Sequence, residues 1–393
     1  MKTLLLSLLV SGCAWTTFDD LQDKTPARAE ERPDGIKGTD YGTAIVGATG
    51  SETTGGKLAI LSTGPGNYST LELDTNGKDQ SLGDNETLGV HTIDTLTGNA
   101  MVLFDGTSQV ALIDNSNVGT VVAVSGSADA LSLDQQIPTP SVPSGAAFVN
   151  GEIVLTAPAT AQVPQNIFTA KGTSVVACAA ATGGSGTPLT SAGVAIAGTK
   201  AWVYTQTGEL VAFDLATLET PTGPCLPTAS GGPMGTVAPI GGSTISGLPA
   251  ATNGGHLDLI GDFAIVTTYG MSGTGGFVTV ANLTTGVVGT QMQSDGVRSV
   301  AANTFDGQII VALGYPFRSD NGTTGTGAVD LHVLGADGTL SGAMQTITVP
   351  NADANLQFGR AVTTTNYNGK PIVVASGNNT VFSYYATQLY AKR

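Results

Sequence analysis

The chain has 393 residues, of which 41% are apolar, only 11% are charged and 54 are glycine. Its formal net charge of −15, without any cluster of Lys and Arg, excludes the basic surface that nucleic-acid binding requires. Glycine and β-branched residues are poor in helix interiors and common in turns and strands. The composition therefore predicts an all-β protein.

The N terminus has the pattern of an export signal. A basic start is followed by an apolar run at 4–10, which is too short to span a bilayer. The run ends in Val-Ser-Gly-Cys at 10–13, which resembles the bacterial lipobox. The resemblance implies a lipoprotein signal peptide at 1–12, acyl chains on Cys13 and, because Ala14 follows, an anchor in the outer membrane. The alternative is an ordinary secretory signal with an incidental cysteine.

Residues 13–38 are charged, contain two prolines and show no apolar periodicity. We interpret them as a flexible tether, whose reach of about 25–30 Å would hold the rest of the chain clear of the lipid surface. The remaining residues, 39–393, are predicted to form one domain.

A strand-like unit recurs seven times in this domain, at a mean spacing of about 55 residues. Each unit begins with an apolar run, at 44–48, 101–104, 153–157, 201–204, 263–267, 309–313 and 372–375. A second β run follows, at 58–61, 110–113, 174–177, 210–213, 277–280, 329–334 and 381–385. This spacing is too long for a solenoid rung and suits a four-stranded propeller blade. The first unit is predicted to lack its innermost strand before Tyr41, so the predicted seven-bladed β-propeller has a six-bladed alternative.

Three of the units share recognisable motifs. Phe358-Gly359 leads into Asn-Tyr-Asn-Gly at 366–369 and a strand at 372–375, Tyr41-Gly42 leads into 45–48, and Asp306-Gly307 leads into 310–316. These segments resemble FG-GAP repeats, the blade unit of integrin α-chain head propellers. The resemblance implies a β-propeller that binds a ligand on the face where the loop after each second strand opens.

Blades of that family often carry a calcium loop with several clustered carboxylates. The matching positions here hold one carboxylate, Asp306, in 303–307 and none in 364–369. Asp258 with Asp262 is one of two other short clusters, the second lying at 74–79. We therefore expect solvated turns rather than calcium sites, and no cofactor.

The loop after the second strand of the sixth unit concentrates aromatic and charged residues in a chain that has few of either. Its candidates for ligand contact are Tyr315, Phe317, Arg318 and Asp320. The alternative is that Tyr315 and Phe317 pack between blades while Arg318 is solvated. Arg298 and Arg360 occupy comparable places in units six and seven, and either line the central channel or pair with nearby carboxylates.

Residues suited to catalysis are few. The three histidines form no zinc motif, and alternation places His332 on the polar face of its strand beside Asp330. Gly-x-Ser-x-Gly is absent, and the glycine cluster at 322–327 lacks the lysine and the following helix of a phosphate loop. The sequence predicts no enzyme and no metal site.

With Cys13 lipidated, Cys178 and Cys225 remain. An even pair in an exported protein predicts a disulfide, and the alternative is two buried thiols. A bond between them would close a loop of about 48 residues and stabilise the fold by roughly 3–5 kcal/mol.

The leading functional hypothesis is a lipid-anchored, non-catalytic propeller of the cell envelope that binds a protein or glycan as an adhesion module. The alternative is a periplasmic scaffold for outer-membrane assembly, because 207–214 resembles the quinoprotein-type repeat of such scaffolds. A propeller enzyme acting on polysaccharide is the third hypothesis. The sequence leaves the surface and periplasmic faces of the outer membrane both open.

Overall fold

The computed structural model describes the strands between 44 and 137 as backbone elements. Beyond them it describes 143–149, 151–159, 165–171, 174–219, 236–270, 275–305, 307–319, 322–349, 352–367, 370–377 and 380–385. In the described part of the chain, no helix is long and apolar enough to cross a membrane.

The described strands form seven sheets, numbered here in chain order. Sheet 1 is β1 (Ala44–Ser51), β2 (Gly55–Ser62), β3 (Asn67–Leu73) and β4 (Gly89–Thr92). Sheet 2 is β5 (Ala100–Phe104), β6 (Gln109–Asn117), β7 (Thr120–Ser127) and β8 (Ala130–Ile137). Sheet 3 is β9 (Gly145–Val149), β10 (Glu152–Thr156), β11 (Ile167–Lys171) and β12 (Ser174–Ala181). Each consecutive pair within these sheets is antiparallel.

Sheet 4 is β13 (Ser191–Ala197), β14 (Lys200–Thr205), β15 (Glu209–Asp214) and β17 (Ile245–Ser246). The short helix α1 (Leu215–Leu218) follows β15, and β16 (Thr236–Val237) joins sheet 3 parallel to β12. Sheet 5 is β18 (Gly255–Ile260), β19 (Phe263–Tyr269), β20 (Gly276–Asn282) and β21 (Met292–Gln293). Sheet 6 is β22 (Ser299–Phe305), β23 (Gln308–Tyr315), β24 (Ala328–Leu334) and β25 (Gln345–Ile347); sheet 7 is β26 (Ala361–Tyr367), β27 (Lys370–Gly377) and β28 (Thr380–Tyr385).

The first strands of the sheets surround a common axis. They contact one another in the order β1, β5, β9, β13, β18, β22, β26, and β26 in turn contacts β1. Each sheet therefore presents its first strand to the axis and its later strands outward, which is the arrangement of blades in a propeller.

The hydrophobic core lies between consecutive sheets. On β23, Ile310 and Ala312 pack toward sheet 7, while Val311 and Leu313 pack toward sheet 5. Because successive side chains of a strand point to opposite faces, a strand buried on both faces must be apolar at every position. This explains the continuous apolar runs of the sequence.

The apolar runs of the first two predicted units lie in a different strand of their sheets from the runs of the other units. The run at 44–48 belongs to β1, which contacts both β26 and β5 and is itself the innermost strand of its sheet. The prediction that this unit lacks an innermost strand is therefore incorrect. The run at 101–104 likewise lies in a first strand, β5, whereas the matching runs of sheets 3 to 7 lie in second strands.

The polar face of β24 on which His332 was predicted is buried rather than exposed to solvent. His332 and Asp330 do share a face of β24, but they are only 3% and 6% exposed. The imidazole Nδ1 of His332 lies 2.9 Å from the Ser341 carbonyl oxygen. Arg318 and Thr346 bind the carboxylate of Asp330 and so compensate for its burial.

Candidate ligand-binding site at one end of the axis

The antiparallel register brings chemically distinctive residues to one end of the axis, here called the mouth. Ser299 at the start of β22 pairs with Gly314 near the end of β23. The loop that follows β23 therefore opens beside Arg298, just before β22. In sheet 5, Gly255 at the start of β18 pairs with Thr268 near the end of β19, so Tyr269 lies at the same end.

Two aromatic rings lie beside Arg298 at the mouth. Its guanidinium carbon is 4.3 Å from the ring centre of Tyr269 and 5.5 Å from that of Phe317. The Tyr269 hydroxyl donates a 3.1 Å hydrogen bond to the Arg298 carbonyl oxygen, which fixes the ring against this arginine. Burial lowers the pKa of the half-buried guanidinium, so part of the hydration of the charge is lost.

Arg318 lies in a second aromatic–arginine pair, and its charge is neutralised within the chain. The guanidinium carbon is 4.0 Å from the ring centre of Tyr315. Its two terminal nitrogens donate 2.9 and 2.8 Å hydrogen bonds to the two carboxylate oxygens of Asp330. Thr346 donates to the same carboxylate at 2.6 Å. Burial raises the pKa of Tyr315 to about 12, and the charge of Asp330 adds to this shift.

Arg360 lies just before β26 and is exposed. One terminal nitrogen donates a 2.8 Å hydrogen bond to the side-chain oxygen of Gln357. Partial burial lowers the pKa of Arg360, and the positive charge of Arg298 lowers it further. The two guanidinium groups thus act on each other electrostatically at the mouth.

The loop after β23 is fastened to the segment before β26. Residues 355, 357 and 358 donate backbone hydrogen bonds of 3.0, 2.8 and 3.0 Å to the carbonyl oxygens of Thr324, Gly325 and Thr326. Phe358 is fully buried, and Gly359, with φ of 87°, accepts a 2.8 Å hydrogen bond from the Ser299 hydroxyl. The Phe-Gly dipeptide therefore joins sheets 6 and 7.

Two further ionisable groups lie on β18. Asp258 accepts hydrogen bonds from the backbone N–H of Ala302 on β22, at 2.7 Å, and of Leu259, at 2.9 Å. Burial raises the pKa of Asp258 to about 6, although these hydrogen bonds oppose the shift. His256 retains exposed surface and stacks edge-on against Tyr269, with the ring centres 5.7 Å apart. Enclosure by the surrounding strands, and then the charge of Arg298, lower the pKa of this imidazole below its ordinary value.

The structure separates the predicted loop candidates. Tyr315 is buried, as the alternative interpretation expected, but Phe317 is 42% exposed. Arg318 is paired with Asp330 rather than solvated. Asp320 lies outside the described residues, as do Cys13 and Cys225. Cys178 is disulfide-bonded, and its pairing with Cys225 stays a prediction.

The predicted channel candidates, Arg298 and Arg360, lie together at the mouth, and no described carboxylate forms an ion pair with either. The sequence did not reveal Tyr269 and His256 as neighbours of Arg298, or Asp330 as the partner of Arg318. Alignment of the units would have found Tyr269, because tyrosine also ends or nearly ends the second strands of sheets 4 and 6, at Tyr204 and Tyr315. Among the described residues, no three His, Cys, Asp or Glu side chains form a group that could hold a metal ion.

No family model and no curated protein matches the sequence. Among solved structures, the WD40 β-propeller domain of Doa1 is similar, with a TM-score of 0.51 at 11% identity over 89% of this chain and 94% of that one. Hydrazine synthase of Kuenenia stuttgartiensis has a TM-score of 0.46 at 11% identity, over 70% of this chain and 75% of that one. The computationally designed Ika8 protein has a TM-score of 0.47 at 11% identity, over 89% of this chain and 98% of that one.

These likenesses concern fold alone. Together with the sheets arranged around an axis, the similarity to Doa1 identifies the chain as a repeat protein with the β-propeller fold.

Proposed function

We propose that this protein is a lipid-anchored propeller of the bacterial cell envelope that works as a non-catalytic binding module, with its ligand at the mouth. The observation that carries the proposal is the group of Arg298, Arg360 and Phe317. No carboxylate in the described part of the chain pairs with either arginine, and the ring of Phe317 is exposed. Arginine and aromatic side chains are the usual anchors of binding surfaces. Such an arrangement suits recognition.

The proposal includes a closed ring of seven blades related to FG-GAP repeats. The contact between β26 and β1 supports closure, and the seven sheets support the blade number. The Phe358-Gly359 dipeptide joins two sheets, which gives this part of the motif a structural role.

The proposed address is the outer membrane, with Cys13 as the lipidated residue, 13–38 as the tether and the cell surface as the working side. It is tested by protease shaving of intact cells followed by mass spectrometry for peptides from 39–393. Peptides released from sealed cells are expected. Release only after the outer membrane is broken would contradict surface adhesion and leave the periplasmic scaffold as the function to pursue.

A Cys13→Ser variant is the matched control for the anchor. It removes the acyl acceptor and leaves the domain sequence intact, so we expect the protein to leave the membrane pellet and appear in the soluble fraction. Retention in the pellet would contradict lipid anchoring.

A further inference from the structure

The two aromatic–arginine pairs of sheets 5 and 6 differ in one respect that points to a ligand. In sheet 6 the arginine stacked on Tyr315 has its nitrogen edge filled by Asp330. A guanidinium presents its donors in a plane, and a carboxylate matches two of them at once. The pair with Asp330 is an example of this arrangement inside the same protein.

For Arg298, which lies against Tyr269 of sheet 5, the described residues supply no such partner. Tyr315 pairs with Ala328, and Asp330 lies two residues further along β24. Tyr269 pairs with Gly276, and the residue two positions further along β20 is Val278, which is fully buried. An apolar side chain therefore occupies the position from which Asp330 reaches its arginine.

Within the described residues, the Arg298 guanidinium has no hydrogen-bond acceptor and no carboxylate partner. The rings of Tyr269 and Phe317 lie beside it, with their centres 4.3 and 5.5 Å from its guanidinium carbon, and neither ring can accept a bidentate pair of N–H groups. The half-buried Arg298 guanidinium has lost part of its hydration, and its remaining N–H donors are open to a ligand. An incoming carboxylate would restore both the charge balance and the hydrogen bonds.

Phe317 extends this site beyond the anion. Its ring is 42% exposed and lies beside the Arg298 guanidinium, so a group attached to the carboxylate would lie against an aromatic face. The C–H face of a sugar ring is a suitable partner for such a surface. Arg360 adds a second positive charge at the same end of the axis, in a chain with a formal net charge of −15.

We infer that the mouth binds a carboxylated sugar, with the carboxylate on the nitrogen edge of Arg298 and the sugar ring against Phe317. Arg360 attracts the same carboxylate electrostatically. This inference rests on the proposed binding function and gives its ligand a chemical class.

The test is calorimetric titration of the purified full-length protein with trigalacturonate and with its neutral counterpart galactotriose. We expect the acidic trisaccharide to bind and the neutral one not to bind. Arg298→Gln is expected to weaken binding at least about tenfold, because it removes a bidentate, charge-assisted pair. Phe317→Ala is expected to weaken it less, since only the stacking surface is lost.

Lys200→Gln is the matched control. Lys200 is an exposed cation at the start of β14, the end of that strand remote from the mouth, and the change removes the same unit of charge. We expect unchanged affinity. Circular dichroism of each variant separates lost binding from lost folding, and Arg298→Lys, which keeps the charge but not the fork, should restore binding only in part.

Equal affinity of the Arg298→Gln variant and the unmodified protein would overturn the inference. Absence of binding, or equal binding of the acidic and neutral sugars, would do the same. The titration is independent of where the protein lies in the cell. If the acidic sugar binds but no peptides are released from intact cells, the site works in the periplasm. If peptides are released but the acidic sugar does not bind, the protein lies at the cell surface and takes another ligand.

Discussion

At the scale of single residues, backbone approaches that only glycine allows hold sheets 6 and 7 together. A Cβ built on Gly314 would lie 2.0 Å from the carbonyl oxygen of Gly359, and one on Gly327 would lie 2.1 Å from that of Phe358. Both obstacles are backbone atoms, which cannot rotate away. The Phe-Gly motif therefore depends on glycines that lie elsewhere in the sequence and are not part of the motif itself.

Gly314→Ala should consequently destabilise the fold by about 3 kcal/mol, the upper end of the usual cost of overpacking, because the strand must shift to admit one methyl group. Gly342→Ala is the control, since Gly342 has open space around it and no positive φ. The free energy of unfolding in urea measures both. A Gly314→Ala protein as stable as the Gly342→Ala protein would contradict the close approach of the two sheets.

Asp258 gives a pH dependence whose sign follows from its raised pKa of about 6, against 3.8 for the ordinary group. Between these values the folded protein holds more protons than the unfolded chain, so stability falls as pH rises. The contribution of Asp258 to the free energy of unfolding is full below about pH 4 and is lost by about pH 6. Compared with an Asp258→Asn variant, the unmodified protein should lose relative stability across this interval.

The measurement is the urea midpoint of both proteins at several pH values, with Asp262→Asn as the control for removing a carboxylate in an exposed turn. A constant difference between the Asp258→Asn variant and the unmodified protein would show that Asp258 titrates normally. Because the carboxylate of Asp258 accepts a hydrogen bond from the backbone of β22, the pH dependence of stability measures the contact between sheets 5 and 6.

At the scale of elements, the apolar runs were predicted well and their order within a sheet was not. Most predicted runs lie within observed strands, because a strand buried on both faces needs apolar residues throughout. First and second strands are both short and apolar, however, so the sequence did not distinguish β1 and β5 from β10 and β14. Which strand is innermost depends on contacts between neighbouring sheets, such as those of β1 with β26 and β5, and these contacts leave little local signal in the sequence.

The candidate site shows the same limit. Arg298 and Arg360 stood out because the chain has few charged residues, and both lie at the mouth. Asp330 was placed with His332 on a polar face of its strand, but its burial was not predicted, because alternation gives the side of a strand and not its depth. Its partnership with Arg318 depends on a loop that returns over β24, which residue spacing does not reveal.

The element β12 carries a prediction about covalent structure. Cys178 is disulfide-bonded, and Cys225 is the predicted partner. A non-reducing digest should therefore yield one linked pair of peptides containing the two residues. Cys225→Ser should lower the free energy of unfolding by about 4 kcal/mol, the chain-entropy estimate for a closed loop of this length.

Cys13→Ser serves as the control, because it removes a cysteine without opening that loop. A linked peptide containing Cys13 instead of Cys225 would contradict both the predicted pairing and the predicted lipidation.

At the scale of the whole molecule, the fold class was predicted correctly from composition and repeat spacing. Gly and β-branched residues indicated strands, and units of about 55 residues are long enough for four strands each. The similarity to the Doa1 propeller domain confirms the β-propeller fold. The blade number stays a proposal, because ring closure depends on contacts between the two ends of the domain rather than on any repeat within it.

The contact between β26 and β1 has a mechanical consequence. If the tether holds the first sheet and the ligand pulls at sheets 5 and 6, the shortest route for the load passes through sheet 7 and across this contact. β26 and β1 belong to different sheets, so no ladder of hydrogen bonds joins these two strands. A pull between the tether and the ligand would therefore load the ring at the joint where its two chain ends meet, and packing rather than hydrogen bonding between β26 and β1 would resist it.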